Sequence, residues 1–338
     1  MIARYKPGVS VLICCYNSAA RIATTLEYLA KQKDIESIPV EILIIDNAST
    51  DDTKAVALNT WNEVGNKNID FDIRNQPIKG KSYAFKLGVQ RASFEFILIC
   101  DDDNWLDETY ISTAFRIMTA DRNIGALGGV GIIEAEEPTL ISEDLLKRIT
   151  VHGRQFWAEN DHWVYGAGSV YRKNAIDDFF DKGWLNVTTG RKGKSLISGE
   201  DVEICYMIYL LGYKITENEN LTFKHFVDRA KQSKDFILRI SFWLSYSQFL
   251  LFSYTDHFSE KKSGLFRFSI GLLRLTGLKI IKTELRIVLR YLTGKGHIDF
   301  DQKQRLAENR GLLYSILQNF LKVKRHRKHV QHVLNKGI

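Results

Sequence analysis

The chain has 338 residues, of which 45% are hydrophobic and 26% are charged, and it contains only 4 prolines. This length and apolar content suffice for one large domain and a smaller one, and they exclude a mainly disordered protein. The four cysteines form no Cys-x-x-Cys pair, which argues against a zinc ribbon or a disulfide scaffold and favours a reduced, cytosolic protein. No apolar signal segment precedes the first predicted strand, so secretion is not expected.

Charge is distributed unevenly along the chain. Residues 1–235 hold 28 Lys and Arg against 34 Asp and Glu, a net charge of −6. Residues 236–338 hold 19 Lys and Arg against 6 Asp and Glu, a net charge of +13. An acidic first part and a basic second part predict regions with different partners, and we place the domain boundary between residues 1–230 and 231–338.

Strand-like and helix-like segments alternate through the first hundred residues. Short apolar runs predict four strands, at residues 9–14, 40–45, 69–74 and 94–100. Helical patterns lie between them, at residues 19–32, 53–64 and 82–92. The alternation predicts an α/β fold with a mostly parallel sheet between helices. Ligands of such sheets bind beyond the carboxyl ends of the strands, where polar residues such as Tyr16, Asp46 and Asp101 fall.

Three consecutive acids, Asp101-Asp102-Asp103, directly follow the fourth apolar run. Such close like charges repel one another, and alternate residues of an extended chain direct Asp101 and Asp103 to the same side. Carboxylates suit hard cations such as Mg²⁺ or Mn²⁺, which commonly bridge diphosphates. The alternative is a solvated loop that caps the next helix, which we expect to begin near Asp107.

Acids at two further positions each have two interpretations. Asp46 ends the second predicted strand, where it either closes a turn with its neighbours or accepts a hydrogen bond from a nucleobase. Glu200 and Asp201 precede a helix predicted over residues 202–211. They either complement the helix dipole or supply a general base that takes a proton from an attacking hydroxyl.

Five short motifs occur in one order along the chain. They are VLICCYN at 11–17, IDNASTD at 45–51, GKS at 80–82, DDD at 101–103 and GED at 199–201. Together they resemble the motifs of family 2 glycosyltransferases, and the resemblance covers roughly residues 9–230. It implies a GT-A fold, with a Rossmann-like sheet flanked by helices, to which this chain adds a C-terminal α-helical region.

The resemblance also implies a role for each motif. The base and the remainder of a nucleotide-sugar, commonly a uridine one, would contact Cys15, Tyr16, Asn17, Asp46, Lys81, Asp101 and Asp102. A Mg²⁺ or Mn²⁺ ion bridging the diphosphate would have Asp103 as its chief ligand, with Asp101 and His225 as further ligands. Asp201 would be the base that activates the acceptor hydroxyl, and Glu200 lies beside it. A single base without a protein nucleophile implies direct displacement with inversion.

The sequence departs from the family pattern at several positions. Cys15 stands where threonine is frequent, and Phe85 and Lys86 stand where many relatives have Arg-Asn, which leaves the donor sugar open. No Gln-x-x-Arg-Trp motif follows Asp201. The resemblance therefore implies transfer of one sugar per encounter rather than processive synthesis.

The basic second part contains two long apolar stretches. Residues 236–254 include Arg239 and several polar side chains, so a poor membrane-spanning helix is expected. In residues 264–292 six cations share an arc of about 160° on a helical wheel, and Gly271 and Gly277 could divide the helix. This stretch fits either an interfacial helix on anionic lipid or helices packed on the catalytic domain. The basic run at 322–329 fits contact with lipid headgroups or nucleic acid, or simple solvation.

The leading hypothesis is a metal-dependent, inverting glycosyltransferase at the cytoplasmic face of the membrane. Its partners would be a nucleotide-sugar donor, with UDP-sugar favoured, and a saccharide or lipid-linked acceptor in cell-surface glycan synthesis. An anionic membrane surface is a further possible partner, and no nucleic acid is expected.

Three other classes of protein are alternatives to this hypothesis. A sugar-phosphate nucleotidylyltransferase would need a glycine-rich basic loop after the first strand, where this chain has Cys14-Cys15-Tyr16-Asn17. A nucleic-acid-binding protein would use the basic tail and would not need the acidic triad. A catalytically inactive scaffold would be expected to lack one of Asp46, Asp103 or Asp201, and all are present.

Overall fold

The computed structural model describes residues 4–148, 162–190, 195–258, 264–293 and 299–336. The chain divides into two compact units. The sheet unit comprises Met1–Asp181 and Ile204–Arg229, and the helical unit comprises Lys182–Glu203 and Ala230–Ile338. The second segment of the helical unit begins at Ala230, beside the boundary predicted between residues 230 and 231. The first segment, Lys182–Glu203, was expected to belong to the first domain.

The sheet unit contains one eight-stranded sheet in the order β3-β2-β1-β4-β7-β6-β8-β5. Its strands are β1 (Lys6–Cys15), β2 (Val40–Asp46), β3 (Ile69–Asn75), β4 (Phe94–Ile99), β5 (Asn104–Leu106), β6 (Ile124–Ala135), β7 (Val170–Arg172) and β8 (Lys214–Val227). The first four pair in parallel, as predicted. The sheet is nevertheless mixed, because β7 runs antiparallel to β4 and β6, and β5 runs antiparallel to β8.

Helices cover the sheet and bury an apolar core against it. They are α1 (Ile22–Ala30), α2 (Thr53–Val64), α3 (Lys81–Arg91), α4 (Tyr110–Ala120), α5 (Glu143–Leu146) and α6 (Lys173–Asp181). The central strands are apolar on both faces, and Val11, Ile13 and Leu98 are fully buried. Gly88 of α3 permits close packing, since a Cβ there would lie 2.2 Å from Leu12 Cδ1. Parallel pairing brings the polar ends of β1, β2 and β4 to the same edge of the sheet.

The helical unit is built mainly from three long helices. They are α8 (Lys234–Thr255), α9 (Leu265–Leu292) and α10 (Phe300–Asn335), and helix α7 (Glu200–Leu210) begins in this unit and continues into the sheet unit. Ser233 caps α8, because its hydroxyl accepts a hydrogen bond from the Phe236 amide at 3.1 Å. Helix α9 is continuous across Gly271 and Gly277. The expectation that these glycines divide the helix was therefore wrong.

Helices α8 and α10 pack closely along their length. A Cβ at Gly311 would lie 2.1 Å from the Phe242 carbonyl oxygen, so only glycine allows this approach of the two backbones. The basic run at 322–329 belongs to α10 and is not merely solvated, because Val323 and His326 within it are buried. Its cations therefore lie on the remaining faces of a packed helix.

Helix α8 is long and apolar enough, by length and composition alone, to cross a membrane. Its mean hydropathy is 1.2 over a window of 18 residues, and half of that window is buried inside the structure. The buried side chains include Ile237, Ile240 and Phe249, which accounts for the apolar composition by packing within the helical unit.

Candidate functional site

The loops that follow β1 and β2 are joined by hydrogen bonds through Asn17. The Asn17 amide donates to Ser49 Oγ at 3.0 Å, and the Thr50 amide donates to Asn17 Oδ1 at 2.8 Å. Asn17 has a φ of 51°, in the left-handed region that asparagine tolerates better than most residues. Its side-chain oxygen is therefore already engaged in holding the two loops together.

Three other residues predicted to contact a nucleotide lie at the same edge. Tyr16 is half exposed, and its ring lies 5.0 Å from the Lys79 ammonium, which also donates to the Tyr16 hydroxyl at 3.3 Å. Asp46 is partly buried, and its Oδ1 accepts a hydrogen bond from the Ser49 amide at 3.1 Å. The Cys15 side chain is buried, and burial raises the pKa of its thiol. Tyr16 and Asp46 thus offer accessible polar groups, whereas the Cys15 thiol is neutral and enclosed.

Asn47 organises the approach to helix α3, a role that the sequence did not assign. Its Oδ1 accepts from the Gly80 amide at 2.7 Å, and its Nδ2 donates to the Ile78 carbonyl at 2.7 Å. Asn47 is buried, and its own amide donates to the Cys15 carbonyl at 2.8 Å. The side chain therefore fixes the segment that precedes Lys81.

The three acids after β4 take three different partners. Asp101 Oδ1 lies 3.2 Å from Lys81 Nζ. Asp102 Oδ2 lies 2.7 Å from an Arg21 guanidinium nitrogen. Asp103 Oδ1 lies 3.8 Å from His225 Nε2. The structure therefore brings Asp103 together with His225 and Asp101 together with Lys81.

The Asp102 carboxylate, which was predicted to contact the donor, forms an ion pair with Arg21. The Asp102 carboxylate is turned towards helix α1, and the Thr25 hydroxyl donates to the Asp102 backbone carbonyl at 2.8 Å. Burial raises the pKa of the Asp102 carboxyl, and the nearby Asp103 charge adds to this, while Arg21 opposes it. These two contacts join the loop that carries Asp102 to α1.

Strand pairing places His225 beside Asp103. In the antiparallel register of β5 and β8, Asn104 is opposite His225, and the Phe226 amide donates to the Asp103 carbonyl at 2.8 Å. The buried Asn104 side chain connects the flanking acids, since its Oδ1 accepts from the Asp101 amide at 3.0 Å and its Nδ2 donates to Asp103 Oδ1 at 3.4 Å. No role was predicted for Asn104, whose side chain links two acids within three positions of it in the chain.

The donor set around Asp103 fits a divalent cation. Among the described residues, no group of three or more His, Cys, Asp or Glu side chains converges as metal ligands. Asp103 and His225 supply one carboxylate and one imidazole, and both side chains are nearly buried. A cation of the Mg²⁺ type needs only one or two protein carboxylates when substrate phosphates and waters complete its coordination. Two protein ligands are therefore sufficient for an ion that binds together with a diphosphate.

The candidate base lies in the helical unit, at the start of α7. Gly199 adopts a φ of +113°, which favours glycine, and its carbonyl accepts from the Glu203 amide at 2.9 Å. Asp201 Oδ1 accepts from the Val202 amide at 2.9 Å. Within the described residues, the buried Glu200 Oε2 has no hydrogen-bond partner. Both acids predicted for catalysis thus occupy the first turn of one helix.

A buried carboxylate that the sequence did not single out stabilises this first turn. Glu203 is fully buried and accepts hydrogen bonds from the Val187 and Thr188 amides, both at 2.7 Å. The Thr188 hydroxyl and the Tyr254 hydroxyl donate to the same carboxylate. Burial raises the pKa of Glu203 to about 7 despite these hydrogen bonds.

The network continues from Tyr254 into α10. The Trp184 indole donates to the Tyr254 hydroxyl at 3.0 Å. His326 Nε2 donates to the Leu185 carbonyl at 2.7 Å, which leaves Nδ1 to accept from the Ser253 hydroxyl at 2.8 Å. Burial lowers the pKa of His326 to about 4, so the imidazole is neutral at physiological pH. Within the helical unit, α8, α10 and the segment before α7 are thereby connected.

Comparison with known proteins identifies the family. The family model described as "Glycosyl transferase family 2" matches residues 10–180. A poly-beta-1,6-N-acetyl-D-glucosamine synthase from Staphylococcus epidermidis is 22% identical over 62% of this chain and 47% of its own length. A glucosyl-dolichyl phosphate glucuronosyltransferase from Haloferax volcanii is 21% identical over 71% of this chain and 76% of its own length. The chain therefore spans about half the length of the first of these relatives.

A solved structure shows the same fold. The mannosyltransferase PcManGT from Pyrobaculum calidifontis, in complex with GDP-Man and Mn²⁺, superposes with a TM-score of 0.55 at 13% identity. The match covers 99% of this chain and 77% of that one. The predicted GT-A fold with a C-terminal helical region is confirmed. The family match over residues 10–180 and the shared fold lead to one conclusion: the chain belongs to glycosyltransferase family 2.

Proposed function

We propose that the chain transfers a single sugar from a nucleoside diphosphate sugar, with UDP-sugar favoured, to a hydroxyl of a saccharide or lipid-linked acceptor with inversion. Family membership supports transfer to a glycan, because relatives carry the names of a polysaccharide synthase and of a glucuronosyltransferase acting on a dolichyl phosphate saccharide. The structural relative was solved with GDP-Man and Mn²⁺, which supports a nucleotide-sugar donor. The pathway would be synthesis of a cell-surface glycan.

The observation that carries this proposal is the Asp103–His225 pair. It lies at the carboxyl edge of the parallel strands, the position where α/β sheets bind nucleotides. A divalent cation bound there would neutralise the charge that develops on the leaving diphosphate. Tyr16 and Asp46, at the ends of β1 and β2, would contact the nucleobase, and Lys81 would contact the donor near Asp101.

Asp201 would supply the base of the reaction. Its carboxylate would take the proton of the acceptor hydroxyl as that oxygen attacks the anomeric carbon of the sugar. The bond from that carbon to the diphosphate oxygen breaks as the new glycosidic bond forms, so the configuration inverts. Glu200, whose Oε2 is buried without a hydrogen-bond partner among the described residues, is the neighbouring acid of the same turn.

We further propose a peripheral position at the cytoplasmic face of an anionic membrane. Helix α9 presents both cations and apolar side chains to solvent, and Leu278, Leu285 and Leu292 are each more than half exposed. Its six cations are Arg267, Arg274, Lys279, Lys282, Arg286 and Arg290. This combination suits a helix lying in the headgroup region, where each cation contributes about 1 kcal/mol.

A donor screen tests the transferase proposal. The purified chain is incubated with UDP-, GDP- and dTDP-sugars and Mn²⁺, and release of the nucleoside diphosphate is measured. We expect turnover with one donor class, and we expect Asp103→Ala to lower it at least about 1,000-fold, because a catalytic cation contributes several kcal/mol. The control is Asp107→Ala, which alters a nearby loop acid outside the proposed site. Full activity of Asp103→Ala would contradict the assignment.

A further inference from the structure

A cavity of about 560 Å³ opens in the helical unit where α8 ends and α9 begins, against the second half of α10. One wall is polar and carries His257, Lys324, Arg327 and Lys328. The other wall is apolar and carries Leu265, Phe266 and Phe320. None of the residues that line the cavity is among those proposed for donor binding and catalysis.

The polar wall has a strong positive charge. Lys324 and Lys328 lie one helical turn apart and are both exposed. Arg327 pairs with the buried carboxylate of Asp256, which fixes its position between them. The sequence of α10 has no Asp or Glu after Glu308, so the half of the helix that lines the cavity supplies no acid to compensate the two lysines. A charge of this sign and density calls for an anionic ligand.

The apolar wall suits an anion that is joined to an apolar group. Phe266 is 66% exposed and packs edge-to-face on Phe320, with ring centroids 6.4 Å apart. Exposed apolar side chains continue from the cavity along α10, at Leu317 and Leu321. A free phosphate would leave the apolar wall exposed to water, and an apolar peptide would bring no negative charge to the two lysines. A phosphate headgroup joined to a hydrocarbon chain satisfies both walls.

We propose that this cavity binds the phosphate headgroup of an anionic lipid, with Lys324 and Lys328 contacting the phosphate and Phe266 contacting the lipid chain. The site deepens the proposed membrane association and rests on it. It converts a general attraction of basic helices to an anionic surface into a defined attachment point. It also gives the cations of α10 a role distinct from those of α9.

Vesicle binding by the full chain tests the site. Vesicles of phosphatidylcholine mixed with phosphatidylglycerol are compared with pure phosphatidylcholine, and bound protein is measured after sedimentation. We expect Lys324→Gln with Lys328→Gln to weaken binding about 30-fold, because each cation at an anionic surface is worth about fivefold. The matched control is Lys303→Gln with Arg305→Gln, which removes the same charge from exposed positions on the same helix. We expect the control to change binding less than about threefold.

Further arms separate the failure of this site from that of the broader proposal. If Arg274→Gln with Lys282→Gln on α9 weakens binding while the cavity variant equals its control, membrane association stands and the cavity site is wrong. If the wild-type chain does not bind anionic vesicles, both the cavity site and the membrane association are wrong, whatever the sugar-transfer assay shows. Inorganic phosphate at the same phosphate concentration should not displace the vesicles, and displacement would assign the cavity to a free anion. Binding of single-stranded DNA that depends on Lys324 and Lys328, without vesicle binding, would replace the lipid by nucleic acid.

Discussion

Acidic side chains cluster in two regions of this molecule, and the two clusters differ in how they are satisfied. At the edge of the sheet, Asp101 and Asp103 keep 27% and 11% of their side-chain surface exposed and face partners on neighbouring loops and strands. In the helical unit, Glu203 is completely buried and accepts four hydrogen bonds. The first arrangement can exchange partners with a ligand, whereas the second is closed and holds a shape.

The comparison predicts that substitutions in the two regions have different consequences. Changes at the groups proposed to meet substrate should lower the rate of transfer and leave the folded state intact. Changes in the enclosed pairs and networks should alter the free energy of unfolding and its dependence on pH. Three experiments, taken from the largest expected effect to the smallest, test this separation.

The largest effect is expected for Asp201→Asn. The substitution preserves the size and one oxygen acceptor of the side chain but removes its ability to take a proton. We expect kcat to fall about 10²- to 10⁴-fold, while nucleotide affinity and Tm stay unchanged. Asp235→Asn, which alters an acid in the first turn of α8, is the matched control. If Glu200→Gln abolishes turnover and Asp201→Asn does not, the base is Glu200.

A smaller effect, on stability, is expected when Arg21 is replaced by methionine. This change leaves the Asp102 carboxyl, with its raised pKa, buried without its ion-pair partner, and we expect the free energy of unfolding to fall by about 3 kcal/mol. The double variant Arg21→Met with Asp102→Asn should recover most of the loss. Arg74→Met breaks the exposed pair with Asp72 and should cost less than about 1 kcal/mol. Urea unfolding measures all four proteins, counting the wild type.

The single variant Asp102→Asn tests whether Asp102 contacts the donor. Because its carboxylate pairs with Arg21, we expect Asp102→Asn to leave the affinity for the donor nucleotide unchanged. A large loss of nucleotide affinity in a stably folded Asp102→Asn protein would show that Asp102 contacts the donor.

The smallest effect concerns the pH dependence of stability in the helical unit. Glu203 has a folded-state pKa raised from 4.5 to about 7, so its contribution is complete below pH 4.5 and is lost as pH rises through 7. His326 has a folded-state pKa lowered from 6.5 to about 4, so its contribution is complete above pH 6.5 and is lost as pH falls through 4. The two slopes oppose each other in the wild-type protein.

Replacing one of the two residues should leave the pH dependence of stability that the other residue causes, which the wild-type protein partly cancels. Glu203→Gln should become less stable as pH falls from 6.5 to 4, by about 2 kcal/mol, because only His326 then titrates. His326→Gln should become less stable as pH rises from 4.5 to 7, by a similar amount. Urea unfolding at intervals across this range measures both. Parallel curves for the two variants would show that neither group titrates as its burial requires.

The sequence was sufficient for the first four strands of the sheet unit and for the position of the acids that follow them. The apolar runs predicted at 9–14, 40–45 and 94–100 form the central parallel strands β1, β2 and β4, because few structures other than a covered sheet bury such runs. The identity of the family followed from the same strand ends. Strands β5, β7 and β8 were not predicted, and β5 and β7 have only three residues each, which carry too little periodicity to be recognised.

The partners of the acids could not be predicted from local patterns. Arg21 and Asp102 are separated by 81 positions, and Glu203 and Tyr254 by 51, so no window of the sequence contains either pair. Gly271 and Gly277 suggested a broken helix, but each faces open space in α9, where glycine costs only about 1 kcal/mol. The basic run in α10 drew attention away from the buried face of this helix. That face includes Val323 and Val330, which are two helical turns apart, so the apolar spacing was present in the sequence.

The placement of Lys182–Glu203 in the helical unit has a consequence for protein engineering. A chimera that exchanges the C-terminal helices at residue 230 would keep Asp201 and Glu203 but lose Tyr254 and His326, which satisfy the network beneath them. In such a hybrid the buried Glu203 carboxylate would lose the hydrogen bond from Tyr254, and the turn that carries the proposed base would be less stable. A functional exchange of the helical unit between relatives must therefore transfer residues 182–203 together with the C-terminal helices, although the two segments are separate in the sequence.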